Sequence, residues 1–156
     1  MRHYISSMQK FISIVLSSGP KRDLATDASL LLIRLVFGLS MAFAHGLGKV
    51  PPSDGFVGLV HELGFPAARF FAWAAGLAEF LGGILIAMGF LTRVSGFFLL
   101  QTMLVAVFIM HADDPFRKME MGLLYAVISL VLMGTGAGRF SLDRKLGGET
   151  QLGGNS

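Results

Sequence analysis

Four long apolar runs occupy most of the chain: Ser29–Val50, Ala67–Phe90, Val94–His111 and Met119–Gly138. Each can cross a hydrocarbon core of about 30 Å, which takes roughly 20 helical residues. No formal charge interrupts the stretch from Val94 to Met110 or that from Met121 to Gly138. A helix on a soluble surface keeps a polar face, whereas one that is apolar all round belongs in a membrane or a large core. The pattern predicts an all-α, four-helix transmembrane bundle over residues 29–143. Ahead of it, Tyr4, Ile5, Met8, Phe11, Ile12, Val15 and Leu16 recur at helical spacing, with Arg2, Gln9 and Lys10 elsewhere. That spacing predicts an amphipathic surface helix within an N-terminal segment, residues 1–28, ended by Gly19-Pro20. The stretch Pro51–Pro66 reads as a loop, and residues 144–156 as a disordered tail.

Composition narrows the class. Hydrophobic residues make up 53% of the 156 positions and charged residues 15%, where a soluble domain carries about a quarter charged residues. The net charge of +3 comes without a basic stripe or an aromatic RNA-binding motif, so nucleic acid is not an expected partner; membrane lipid is. The absence of cysteine excludes thiolate catalysis, disulfide exchange, Cys-type zinc and iron–sulfur ligation. Any redox role must therefore use a bound cofactor, a quinone or a partner protein. Outside the spans, Arg2, Lys10, Lys21, Arg22, Arg93, Arg139, Arg144 and Lys145 fall on one side, and Lys49, Arg69, Arg117 and Lys118 on the other. The positive-inside rule then places both termini in the cytoplasm.

The polar residues inside the runs carry the candidate chemistry. Arg34, Gly38, Met41, His45 and Lys49 follow one another at spacings of 4, 3, 4 and 4, so on a regular helix they share a stripe roughly 80° wide. Ionisable groups in a span turn toward the bundle interior or water. Glu79 stands near the middle of the second run, where a charge costs about 2.5–3.5 kcal/mol on insertion scales. It is expected to pair with Arg34 or His45, with Gly76 and Gly83 clearing space beside it. Glu79 and His45 are the candidate catalytic pair, and Arg34, Lys49, Glu120 and His111 candidate ligand-binding residues. His45, His61 and His111, with nearby carboxylates, suggest a hydrated vestibule at one mouth of the bundle. Haem or metal ligation by these histidines lacks a spacing motif, so no metal is expected. Ala74, Ala78 and Gly82 form a small-residue stripe for helix packing, and Gln101 is expected to make an interhelical hydrogen bond.

Several stretches together resemble the DoxX family of small bacterial inner-membrane proteins. They are Arg34-x3-Gly38-x6-His45-Gly46-x2-Lys49, Glu79-x2-Gly82-Gly83, Gly89-x2-Thr92-Arg93, Glu120, and Gly136-x-Gly138-Arg139-x-Ser141-Leu142-Asp143. The resemblance runs from about Leu30 to Asp143. It implies a four-helix membrane bundle and an association with membrane redox systems. The expected function is a quinone-linked subunit or partner of a membrane oxidoreductase system, with quinone as a non-covalent ligand and a redox protein as partner. A non-catalytic scaffold, or a small-molecule or proton transporter, stays open as the alternative. Oligomeric state is not legible.

Overall fold

A computed structural model describes residues 14–16 and 18–147; most of the predicted amphipathic helix and the tail beyond Gly147 lie outside them. Four helices are long and apolar enough to cross a membrane: Leu24–Lys49, Ala68–Met88, Thr92–Met110 and Phe116–Thr135. Among the described residues there is no strand.

The first span begins five residues before the apolar run. Asp23 sets its start by accepting hydrogen bonds from the Thr26 backbone N–H at 2.7 Å and the Thr26 hydroxyl at 2.8 Å. These bonds hold the Asp23 carboxyl below its usual pKa. Helix α1, Leu24–Ser40, continues through a π segment, Met41–Gly46, and a 3₁₀ turn, Leu47–Lys49. The expected loop is not all loop. Ser53 Oγ accepts from the Phe56 N–H at 3.2 Å and starts a nine-residue helix, α2, Asp54–Glu62. Helix α3 is Ala68–Met88; α4 is Thr92–Val105, continuing as a π segment over Ala106–Met110; α5 is Phe116–Thr135 and α6 is Leu142–Gly147. Residues 144–147, expected in the tail, thus close a short helix.

The four spans form a closed ring. α1 packs on α3, α3 on α4 and α4 on α5; Phe37 and Tyr125, with ring centroids 5.5 Å apart, join α1 to α5. Leu30, Phe37, Met41, Ile86, Leu99, Met103, Ala126 and Leu132 make one buried cluster at its centre. The tightest crossing is α1 on α3. A Cβ on Gly38 would lie 2.5 Å from the Gly83 carbonyl oxygen, and one on Gly83 would lie 2.6 Å from that of Gly38. Only glycine lets the two backbones meet there, which is the small-residue device of membrane helices. The Ala74, Ala78, Gly82 stripe does less: a Cβ on Gly82 would meet Leu99 at an ordinary 3.6 Å, and the two alanines border open space.

At the end of the bundle that carries residues 18–23, 89–93 and 136–147 (the terminal end), polar side chains cap backbone. Asp143 accepts from the N–H groups of Leu91 (2.8 Å) and Thr92 (3.1 Å), the first turn of α4. Asp27 accepts from the Arg139 N–H at 3.0 Å. Arg34, fully buried, donates to the Phe140 carbonyl and lies in the field of Asp143 and Asp27. Arg93 and Arg22 donate to the carbonyls of Met133, Gly134 and Thr135, the last turn of α5, where a cation complements the helix dipole.

The opposite end, which carries residues 50–67 and 111–115 (the loop end), is built differently. Lys49, the last residue of span one, reaches Glu79, the twelfth of the 21 residues of α3. Span one therefore stops about halfway up α3. Beyond it, the first turns of α3 are flanked by α2, tied by an Arg69–Asp54 ion pair at 3.3 Å.

Candidate ligand pocket

The fold brings two of the six expected site residues together. Lys49 Nζ donates to both carboxylate oxygens of Glu79 at 2.7 Å. The Glu79 side chain is 3% exposed and that of Lys49 33%, so the carboxylate is buried and the ammonium keeps an open side. Gly76 makes the pair possible, since a Cβ there would lie 2.6 Å from the Lys49 carbonyl oxygen. The Lys49 ammonium also sits 5.5 Å from the Phe56 ring centroid of α2, within cation–π range.

This pair borders a cavity of about 360 Å³ between α2, α3 and α4. Phe56, Phe65, Phe71, Phe97 and Phe98 supply aromatic walls, and Ala74, Ala75 and Ala78 a smooth floor. The lining runs along α4 from Phe97 to Met110, about 20 Å at helical rise. Phe97 and Phe98 are 46% and 54% exposed within a membrane span, so the groove opens toward hydrocarbon. A largely apolar cavity with a few convergent polar groups is the usual form of a small-molecule site.

The other four residues lie elsewhere. Arg34 is at the terminal end, capping the Phe140 carbonyl. His45 packs edge-on against Tyr125 of α5, with centroids 5.3 Å apart. His111 bonds through Nδ1 to Asp114 at 2.8 Å, and Lys118 donates to the same carboxylate at 2.6 Å. The Lys118 and His111 hydrogen bonds hold the Asp114 carboxyl below its usual pKa. Glu120 is exposed on α5 and His61 exposed on α2. Among the described residues no three His, Asp or Glu side chains gather as a metal site.

The expected Glu79 pairing with Arg34 or His45 is thus corrected to Lys49. The stripe on span one straddles two neighbours. Gly38, Ala42 and Gly46 face α3, whereas Phe37 and His45 sit on the adjacent row against α5. Arg34 faces the right way but lies 15 residues below Lys49. Gln101 is also corrected. It makes no hydrogen bond among the described residues; its amide is exposed on the pocket wall.

Comparison with known proteins agrees with this architecture. The DoxX family model matches residues 29–112, and the chain belongs to the DoxX family. It is a multi-pass membrane protein. It is 30% identical over 114 residues to a Bacillus subtilis protein named "Putative oxidoreductase CatD", covering 72% of this chain and 83% of that one. It is 32% identical over 139 residues to the "Uncharacterized membrane protein Rv3486" of Mycobacterium tuberculosis, covering 76% and 81%. A Haemophilus influenzae protein is 30% identical over 130 residues, covering 78% and 85%. No solved structure matches.

Proposed function

We propose that the chain is a quinone-linked component of a membrane oxidoreductase system, and that the Lys49–Glu79 groove holds the quinone. The observation that carries this reading is a buried, hydrogen-bonding ion pair inside an aromatic groove open to lipid. An aromatic groove takes a flat ring and an apolar tail. Lys49 donates to a carbonyl oxygen, and Glu79 accepts from a hydroxyl and can take its proton. The name of the Bacillus subtilis relative points the same way. The reading has electrons pass to or from a separate redox partner, since the chain has no cysteine to carry a thiol couple of its own.

Purified wild-type protein is expected to retain quinone, detectable by mass spectrometry of its organic extract. Glu79→Gln, which keeps shape and removes charge, should insert normally and lose most of that quinone. Equal retention by wild type and Glu79→Gln would overturn the assignment of this pair, and a wild-type extract without quinone would favour a scaffold without a ligand.

The reading includes an orientation in the bacterial inner membrane. Lys and Arg outnumber their counterparts at the terminal end, so that end faces the cytoplasm. The cysteine-free sequence is a clean background for the check. Ser53→Cys and Asp113→Cys should react with an impermeant thiol reagent added outside, and Lys145→Cys only after lysis. Labelling of Lys145→Cys in intact cells would invert the topology.

A further inference from the structure

Three features compete for a further reading: the basic hollow at Lys21, Arg22, Arg139 and Arg144, the His111–Asp114–Lys118 cluster, and the unpaired amide of Gln101. Arg22 is already bonded to a helix terminus, and the His111 cluster is satisfied within itself. Gln101 is not. An amide in a membrane span that finds no protein partner is costly, so its place on a ligand-sized groove needs a reason.

Its depth supplies one. Gly82 of α3 packs on Leu99 of α4, and the two helices are antiparallel. Three residues back along α3 and two forward along α4 bring Glu79 and Gln101 to about one level, lining the same groove from the α3 and α4 sides. The wall at Lys49 and Glu79 offers an N–H donor and a carboxylate acceptor. The wall at Gln101 offers the same two functions, from its NH₂ and its carbonyl.

We infer that Gln101 is a specificity-determining residue that binds the second oxygen of a ring with oxygens at opposite edges, and that the groove holds this ring in both its carbonyl and its hydroxyl forms. The inference rests on the quinone reading and deepens it. An oxidised head presents two acceptors, met by Lys49 and the Gln101 NH₂. A reduced head presents two donors, met by Glu79 and the Gln101 carbonyl. The same residues serve both cases, since each wall carries a donor and an acceptor. A lipid with a single polar end would leave the amide of Gln101 unmet, so the groove discriminates against it.

The test uses full-length protein in nanodiscs and three probes: a short-tailed benzoquinone, its quinol, and a 4-alkylphenol of equal tail with one oxygen. Wild type should bind quinone and quinol within about threefold of each other, and the phenol about tenfold more weakly, as expected for one lost hydrogen bond. Gln101→Leu should weaken both two-oxygen probes about tenfold and leave the phenol unchanged. Binding of quinone that is lost in Glu79→Gln but unaltered in Gln101→Leu would overturn the role of Gln101 while leaving the site in place. No saturable binding of quinone or quinol to wild type would sink the quinone reading, and this inference with it. Should Gln101→Leu fail to fold, equal affinity of wild type for quinone and phenol overturns the inference by itself.

Discussion

Lys49→Met should destabilise the protein by about 3 kcal/mol in detergent unfolding, more than removal of both charges together. The single change strands the Glu79 carboxylate in a buried position, and breaking a buried pair from one side costs about 3–5 kcal/mol. The lower end applies because the Lys49 side chain is 33% exposed. The double variant Lys49→Met/Glu79→Gln leaves no uncompensated charge and should recover most of the loss. It should not recover ligand binding, because the donor and the acceptor are both gone. A Lys49→Met midpoint equal to that of wild type would show that the pair does not fasten span one to α3.

Asp143→Ala should be the second large effect, a loss of about 4 kcal/mol. Its carboxylate accepts two backbone N–H bonds at the start of α4, and a charge-assisted bond contributes about 1.5–3 kcal/mol. The change also removes a carboxylate from beside the buried Arg34. Asp143→Asn, which keeps one acceptor, should lose less. Thermal unfolding of the series gives the order. The folded fraction of each variant, separated by gel filtration, should bind quinone like wild type, since the groove is at the other end of the bundle. Loss of binding per folded Asp143→Asn molecule would mean that the terminal end takes part in the site.

These two sites mark what the sequence discloses and what it hides. Spans are legible because a bilayer demands about 20 apolar residues in a row, and the four runs match the four spans with shifts of one to five residues at their ends. The ends differ because caps, not hydropathy, set them, as Asp23 does for α1. Glu79 and Lys49 stand out as charges in apolar runs, but their partnership depends on where span one stops, which spacing alone does not state. Arg34 stands out equally and turns out to serve packing at the terminal end. The groove was least legible. It needs α2, a helix of nine residues inside a Pro- and Gly-containing segment, signalled only by Ser53-Asp54 ahead of Phe56, Val57 and Val60. Gln101 carries no pattern of its own; its meaning comes from the register of α4 on α3.

Because span one stops part-way along α3 and the groove beside it is walled by exposed Phe97 and Phe98, the quinone reading has the ligand arrive by two-dimensional diffusion, counted per lipid and not per litre. A guest dissolved in the bilayer at about 1 mM half-fills a site worth about 4 kcal/mol. Occupancy should therefore follow the ligand-to-lipid ratio. Adding empty micelles or liposomes should strip the groove at constant total ligand, as a partition equilibrium requires.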